Sequence, residues 1–328
     1  MCNCNGNKWL AIDITSVSQY LDEIKKIPFE QGMESMKKPL YFRGEPECYE
    51  HVKASLFRGK QGEKDKTNVD DEYNIIHNAL TQHPEVFGHC RSDMDRLVTM
   101  QHFRLPTRLV DVTSNPLVAL YFACENYNTD DVHAGRVLYI NDMEPEDNET
   151  IDMLSSIASI YCIAQFKLNQ ILFKIREKNT LLNCLKKEET KYSILFQSIS
   201  KPYLFQPTLS NERIRAQQGA FIISPLAEAF NGSKTLFESL TTRGDSMWSI
   251  EEMLSIEFIK TQSCICSLFN PTFFRVLPEN KKKIIEELDK CGINKGTVYP
   301  DPEHQMINIA ERYVRHKQNA KINTYPDF

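Results

Sequence analysis

The sequence predicts a mixed α+β domain in which helices surround a small split sheet. Four short segments, rich in β-branched and aromatic residues and bounded by glycine or proline, have the pattern of strands: Leu40–Gly44, Gly135–Ile140, Gly219–Ser224 and Thr272–Val276. The segments between them carry apolar residues at helical spacing. Neither an internal repeat nor a linker divides the chain, so we expect a single domain over residues 1–328.

Composition restricts the class of protein. The chain has 328 residues, of which 41% are hydrophobic and 25% charged, as in ordinary globular proteins. A formal net charge of -5 excludes a basic surface for duplex nucleic acid, although it leaves room for a local basic groove. Because there is no signal peptide and no long apolar span, we expect a cytoplasmic protein with no membrane contact.

The cysteines give no sign of a metal site in the sequence alone. There are 10 cysteines but no C-x-x-C pair. Cys2 with Cys4 and Cys264 with Cys266 form C-x-C pairs that have no His or Cys partner at the spacing of a zinc finger. We therefore expect scattered reduced thiols and no bound metal.

The amino-terminal third contains clear local signals. Trp9–Ile14 is a short apolar segment, and Ser16 with Gln19 has capping-box spacing, which indicates a helix start. The strand at Leu40–Gly44 is followed by a turn that begins at Glu45. Val69–Leu80 reads as a helix, because the acidic residues at its start suit the helix dipole.

The rest of the chain is organised around Asp95–Asn126. Polar and basic side chains lead into a turn, and Asn115 followed by Pro116 then marks a helix start. This helix is apolar over most of its circumference and should be buried. Asp111 and Thr113 would then lie on the rim of the core, where helix N–H groups can meet an anionic ligand.

The second half of the chain is simpler. Gly135–Ile140 alternates as a half-buried strand does, and residues 151–200 have a helical pattern without a catalytic signature. We treat 151–200 as a helical insertion that contacts a target or an inhibitor, with plain core packing as the alternative. Pro278–Lys290 and Asp301–Tyr313 read as the last two helices.

Three segments together have the chemistry to hold a dinucleotide: Tyr41–Gly44, Thr107–Phe122 and Arg213–Phe221. Arginine offers a planar fork for pyrophosphate, glycine leaves room for a flat ring, and hydroxyl groups can bond to sugars. Neither G-x-G-x-x-G nor G-x-x-x-x-G-K-[ST] is present, so the common phosphate loops are unsupported.

Each of these pieces also has a structural explanation. An Arg-Gly pair at a strand end is more often a turn, and Thr-Ser-Asn-Pro is first of all a helix cap. His102 alone is more often a hydrogen-bonded structural histidine than a base, and Gln217 with Gln218 can be a surface pair.

A family resemblance favours the functional interpretation. The chain resembles the FRG-domain family, whose Phe-Arg-Gly stands here as Phe42–Gly44. The long motif of that family, close to Q-H-x-G-x-P-T-R-L-L-D-W-T-x-N-P-L-x-A-L-x-F-A, is matched from Gln101 to Ala123. A later R-x-x-A-Q-Q-G-x-F element is matched from Arg213 to Phe221, and a terminal Y-P-D at Tyr299–Asp301.

Two departures from the family pattern change the chemistry of the segment. Arg104 stands where the motif has glycine, which adds a cation that can bind a substrate phosphate. Val112 stands where the motif has tryptophan, and this replaces a side chain that could form a stacking wall.

The order of elements also resembles the ADP-ribosyltransferases of the arginine, serine and glutamate type. Their Arg-Gly strand, their Ser/Thr strand and their Glu or Gln loop correspond to Arg43 with Gly44, to Thr113, and to Gln217 with Gln218. This resemblance implies an ADP-ribosyltransferase-like fold with a split antiparallel sheet, and NAD as the nucleotide used.

The same resemblance implies two sets of site residues. The NAD-binding set is Tyr41, Phe42, Arg43, Gly44, Arg104, Thr107, Arg108, Asp111 and Thr113. The catalytic set is Arg43, Thr113, Gln217, Gln218 and His102. Glutamine cannot act as a general base, so either His102 is the base or the acceptor is a group such as a nucleobase amine, which needs little deprotonation.

Two hypotheses about function follow from the sequence. The first is a toxin or anti-phage effector that transfers ADP-ribose from NAD to RNA or protein and is held in check by an antitoxin partner. The second is a non-catalytic module that uses the same residues to bind a nucleotide or a partner.

Overall fold

A mixed sheet forms the centre of the protein, as a computed structural model shows. The structure describes residues 3–4, 7–28, 38–58, 69–127, 133–161, 168–176, 179–207, 212–226, 264–302, 304–306 and 308–309. The strands are β1 Asn3–Cys4, β2 Asn7–Lys8, β3 Leu10–Asp13, β4 Tyr41–Glu45, β5 Leu109–Thr113, β6 Gly135–Ile140, β7 Tyr203–Phe205, β8 Gly219–Ile223 and β9 Thr272–Val276. β1 and β2 form a separate two-stranded ribbon.

The central sheet has seven strands in the order β3-β9-β6-β4-β5-β8-β7. Only β3 and β9 pair in parallel, and the other neighbours are antiparallel. The pairing of β4 with β5 is limited to one residue pair, Phe42 with Thr113, whereas β4 and β6 pair over five residues. The sheet therefore opens between β4 and β5. The predicted mixed α+β fold is confirmed, because helices and a seven-stranded sheet make up the described structure.

Helices cover both faces of this sheet. They are α1 Val17–Lys25, α2 Val69–Gln82, α3 Pro84–Phe87, α4 Asp93–His102, α5 Pro116–Cys124, α6 Asn148–Ser156, α7 Leu168–Ile175, α8 Thr180–Cys184, α9 Glu188–Ser200, α10 Glu212–Gln217, α11 Pro278–Lys290 and α12 Lys295–Val298. Residues 302, 304–306 and 308–309 are also helical, while the predicted continuation to Tyr313 and the segment 59–68 lie outside the described residues.

The helix starts follow from local chemistry, as the sequence predicts. The side chain of Ser16 accepts a hydrogen bond from the backbone N–H of Gln19 and caps α1. The side chain of Asn115 caps α5, and Pro116 occupies the first turn, where a missing N–H costs nothing.

Two apolar cores lie on opposite faces of the sheet. On β4, Tyr41 packs into the core that includes α2, α4 and α6, and Phe42 packs into the core that includes α1, α5 and α11. Because both faces of β6 are covered in this way, all of its residues are buried. The prediction that Gly135–Ile140 is half-buried is therefore wrong.

The segment predicted to be a helical insertion forms α6 to α9 in its described part. Ile171, Leu195 and Ile199 are buried there and belong to the same core as Tyr41. The helical prediction is confirmed, and core packing accounts for these side chains. Contact of this segment with a target or an inhibitor stays a prediction. Among the described helices, none is long and apolar enough to cross a membrane.

Candidate functional site

The fold places the three predicted segments side by side. Thr113 of β5 pairs with Phe42 of β4 on one side and with Gly219 of β8 on the other. These residues therefore form one row across three strands, although they are far apart in sequence. Arg43 follows Phe42 along β4 on one side of this row, and Gln217 and Gln218 precede Gly219 on the other side.

Arg43 bridges the opening of the sheet next to this row. Its Nη1 donates to the backbone carbonyl of Asp111 at 2.8 Å, and its Nε donates to Oε1 of Glu45 at 2.8 Å. Beyond Phe42, β4 and β5 have no further paired residues. The Arg43 side chain connects the two strands there. It is 10% exposed, so the guanidinium group reaches the edge of solvent.

Glu45 anchors Arg43 from inside the protein. It is the last residue of β4, is 1% exposed, and accepts a second hydrogen bond from Nε of Arg136 at 2.7 Å. Burial alone would raise the pKa of Glu45, but the charges of Arg43 and Arg136 and their hydrogen bonds outweigh it and lower the pKa. The prediction that the strand ends at Gly44 and a turn begins at Glu45 is one residue early, because Glu45 is the last residue of β4 and its side chain is buried.

Arg58 is a second cation at the opening, and the sequence reading missed it. It follows a short 3-10 turn, Ser55–Phe57, and its Nε donates to the carbonyl of Lys53 at 3.1 Å. Burial and the nearby charge of Arg43 lower the pKa of Arg58, while the charges of Glu45 and Asp111 act in the opposite direction. One signal could have found it, because Phe57 and Arg58 begin a second Phe-Arg-Gly tripeptide.

Asp111 carries an exposed carboxylate whose charge acts on Arg58. Oδ2 of Asp111 accepts a hydrogen bond from Nε2 of Gln101 at 2.7 Å, and Oε1 of Gln101 accepts one from the hydroxyl of Thr107. Thr107 is fully buried, and its backbone N–H donates to Oγ of Ser55 at 3.0 Å. Thr107 therefore positions Gln101, which in turn orients Asp111, and its hydroxyl does not reach a ligand as the sequence reading expected.

Thr113 also has an internal role. Its hydroxyl donates to the carbonyl of Gln217 at 2.6 Å and accepts from the backbone N–H of Asn115 at 2.9 Å. The side-chain amide of Gln217 donates to the carbonyl of Val298 at 3.1 Å. Gln218 differs, because its side chain is exposed and its backbone has a φ of 46°. Of the two glutamines, Gln218 is the one with a side chain available to a ligand.

Gly44 is a packing residue. A Cβ atom at this position would lie 1.9 Å from the carbonyl oxygen of Ala119 and 2.8 Å from Cβ of Phe122. Helix α5 therefore lies directly against Gly44. The expectation that this glycine leaves room for a flat ring is corrected, because α5 fills that space.

Arg108 lies inside the protein and away from the opening. It is fully buried, and its Nε donates to both carboxylate oxygens of Glu72, at 2.8 and 3.0 Å. Its Nη1 reaches the carbonyl of Leu154 at 3.4 Å, which connects β5 with α2 and α6. The structure thus gives Arg108 a role in tying elements together, in place of the predicted auxiliary cation.

Arg104 lies on the surface, in the turn that follows α4. Its φ is 60°, a left-handed conformation that glycine adopts without strain. This explains why the FRG motif has glycine here. The exposed side chain of Arg104 is compatible with the predicted contact to phosphate.

His102 belongs to a second cluster, in which Arg213 of α10 meets Tyr299, Asp301 and His304. Burial and the charges of Arg213 and His304 lower the pKa of His102, against the opposing effect of Asp301. The guanidinium carbon of Arg213 lies 4.7 Å from the centre of the Tyr299 ring, and Tyr299 stacks on His304. The Arg213 and Tyr-Pro-Asp motifs therefore meet around His102.

Comparison with known families adds one finding. Residues 38–132 match the family model of the FRG domain. The chain carries an FRG domain. The resemblance read from Phe42–Gly44 and from the motif between Gln101 and Ala123 is thus confirmed. No curated protein and no solved structure matches the chain.

The FRG domain supplies most of the opening. It contains Arg43, Glu45, Arg58 and Asp111, whereas Gln218 lies outside the matched range. Chemically, the opening combines two guanidinium groups, which suit a diphosphate, with one exposed carboxylate that can accept a proton or stabilise a positive charge. Sequence reasoning found Arg43 and Asp111 but missed Arg58 and the anchoring role of Glu45.

Proposed function

We propose that this protein transfers ADP-ribose from NAD to an RNA or protein acceptor. The observation that supports the proposal is the row formed by Phe42, Thr113 and Gly219, which sets the strand of Arg43 beside the strand that leads into α5 and the strand that follows Gln218. The ADP-ribosyltransferases that the sequence resembles use an arginine strand, a Ser/Thr strand and a Glu or Gln loop in this order.

The residues at the opening fit the parts of NAD. The charge of Arg43 acts on Arg58, and the two guanidinium groups could share the charge of the pyrophosphate, since each offers paired N–H donors. Arg104 stands on the surface at the end of α4 and is available for an outer phosphate contact. The exposed side chains of Gln218 and Ser114 can bond to ribose hydroxyls.

The reaction needs a carboxylate, and Asp111 supplies it. The bond between the ribose C1′ atom and the nicotinamide nitrogen breaks, nicotinamide leaves with the electron pair, and the acceptor atom bonds to C1′. The ribose carries positive charge in the transition state, as in glycoside cleavage, and the Asp111 carboxylate can stabilise that charge. Asp111 can also accept the proton that the acceptor loses, which neither glutamine can do.

The net charge of the chain bears on which acceptor the proposal favours. The net charge of -5 favours a protein or a single-stranded RNA over a duplex as acceptor. A toxin or anti-phage effector of this kind would require an antitoxin partner in the cell that produces it.

A non-catalytic binding module is the second candidate, and one observation favours it. Thr113, Gln217 and Gly44 are all engaged in internal contacts, so three of the residues expected to touch NAD serve the fold. In that case Arg43 and Arg58 would hold a nucleotide without bond cleavage.

One experiment separates the two candidates. The intact chain is incubated with NAD labelled in the ADP-ribose part, with cellular RNA and protein as acceptors, and both label transfer and nicotinamide release are measured. We expect Asp111→Asn to lower transfer by about 10²–10⁴-fold, the range for loss of an acid–base group. The matched control is Asp22→Asn, because Asp22 is exposed on α1 and pairs with Lys25.

Two outcomes of this experiment would overturn parts of the proposal. If the folded wild-type chain binds NAD but releases no nicotinamide and transfers no label, the binding module is correct. If Asp111→Asn transfers label as fast as Asp22→Asn does, Asp111 has no part in the reaction.

A further inference from the structure

A cluster of metal-binding side chains lies outside the opening. Nδ1 or Nε2 of His51 and the Sγ atoms of Cys264 and Cys266 are all within 4.8 Å of one another. His51 and Cys264 are partly buried, and Cys266 is 3% exposed. More than two hundred residues separate the histidine from the cysteines, so a search for nearby partners in the sequence does not find this group.

Backbone contacts hold the two ligand-bearing segments together. The backbone N–H of Ile265 donates to the carbonyl of Val52 at 3.0 Å, and Lys53 and Cys264 form an antiparallel bridge. The backbone N–H of Val52 also donates to Sγ of Cys266 at 3.2 Å. This contact fixes the position of the Cys266 sulfur beside the segment that carries His51.

The distance between His51 and Cys264 is close to that of two ligands on a tetrahedral ion. Nδ1 of His51 lies 3.8 Å from Sγ of Cys264. With Zn–S bonds of about 2.3 Å and Zn–N bonds of about 2.0–2.1 Å, two ligands of a tetrahedral zinc ion are about 3.5–3.8 Å apart. Nε2 of His51 faces Oε1 of Glu50 at 3.9 Å. This distance exceeds that of a hydrogen bond, so Glu50 does not by itself fix the orientation of the ring.

We propose that His51, Cys264 and Cys266 bind one Zn²⁺ ion. Two thiolates and one imidazole are ligands that zinc prefers over the harder Mg²⁺ and Ca²⁺ ions. Three protein ligands leave the fourth position to water or to a ligand from outside.

A zinc ion at this position would link two segments of the chain. His51 lies in the segment that leads to Ser55 and Arg58 at the opening, and Cys266 begins the 3-10 turn before β9. Zinc would join these two segments covalently through its ligands, so the segment that carries Arg58 would be held against the sheet.

The test uses the full chain, purified under reducing conditions and freed of metal. Zn²⁺ and Co²⁺ are titrated separately, with metal content measured after dialysis and cobalt followed by its absorption spectrum. We expect one ion per chain, a thiolate-to-cobalt charge-transfer band, and the visible bands of a tetrahedral site. Thermal unfolding with and without Zn²⁺ provides a readout that does not depend on any enzymatic activity.

Variants identify the ligands. Loss of an outer partner of a zinc ligand weakens binding by about 10–100-fold, so loss of a direct ligand in Cys264→Ser, Cys266→Ser or His51→Gln should cost at least about 100-fold. Cys291→Ser is the matched control, because Cys291 is exposed at the end of α11. Far-UV circular dichroism checks that each variant folds.

Three results would overturn the zinc site. Absence of stoichiometric binding to the folded wild-type chain overturns the site, as does binding by Cys264→Ser equal to that by Cys291→Ser. A Cys264–Cys266 disulfide that persists under reducing conditions also overturns it. If the ligand variants do not fold, the cobalt spectrum of the wild-type chain decides, because a spectrum without thiolate charge transfer excludes cysteine ligands.

Discussion

Two arginines of the same motif-bearing region behave differently in the fold. Arg43 lies at the opening between β4 and β5, is 10% exposed, and shares the carboxylate of Glu45 with Arg136. Arg108 is fully buried and takes both carboxylate oxygens of Glu72. From sequence alone both read as cations for a ligand.

The comparison shows what separates a binding cation from a structural one. A buried guanidinium group with a carboxylate to itself is neutralised and cannot reach a solvent ligand. A guanidinium group at the edge of solvent, within reach of the charge of a second cation such as Arg58, can meet an incoming anion. The residue type is the same, so its burial and its partners decide which function it can have.

The largest effect should come from breaking the buried pair. Glu72→Gln leaves the charge of Arg108 buried without compensation, and we expect a loss of about 3–5 kcal/mol in the free energy of unfolding, measured by urea denaturation. The double variant Glu72→Leu with Arg108→Met should recover most of this loss, since a buried pair can be replaced by apolar side chains.

The free energy of unfolding of Arg43→Ala should be compared with that of Glu72→Gln. Glu45 keeps Arg136 as a partner, so the loss of stability should be smaller than for Glu72→Gln, while transfer of ADP-ribose should be lost. Equal losses of stability in the two variants would show that Arg43 is as structural as Arg108.

An intermediate effect should come from Gly44, the residue after Arg43. Gly44→Ala forces a Cβ atom against the carbonyl of Ala119, and overpacking of this kind costs about 1–3 kcal/mol or more. Gly88→Ala is the matched control, because its φ is -61° and the nearest atom to an added Cβ is at 3.6 Å. If Gly44→Ala were as stable as Gly88→Ala, α5 would not be packed on β4 as described.

The smallest effect concerns His102 and pH. Folding lowers the pKa of His102 below its ordinary value of 6.5. As the pH falls, the unfolded chain therefore binds a proton at His102 more readily than the folded chain does. This contribution to stability is complete above pH 6.5 and declines as the pH falls below that value. Urea denaturation at about pH 7.5 and about pH 5.5 should therefore show a smaller decline for His102→Gln than for the wild type.

The same variant tests the place of His102 relative to the opening. Arg213, Asp301 and His304 surround it, so His102→Gln should leave transfer close to the wild-type rate at about pH 7.5. A loss of transfer comparable to that of Asp111→Asn would return His102 to the role of general base. His83→Gln serves as the control, because His83 is exposed next to Glu85.

The sequence by itself determined the local structure and the identity of the motif region. Ser16 and Asn115 cap their helices as predicted, β9 and α11 have the predicted bounds, and the FRG match covers residues 38–132. These features depend on neighbours within a few residues, so the pattern of residue types is sufficient to predict them.

Only the tertiary structure decided which side chains face solvent and which partners they meet. Glu72 and Arg108 are 36 residues apart, and Cys264 and His51 are 213 apart. The burial of Arg108, the anchoring of Arg43 by Glu45 and the approach of Arg58 all depend on how the sheet and its two helical layers pack. Charge and desolvation act through space, so no pattern along the chain specifies them.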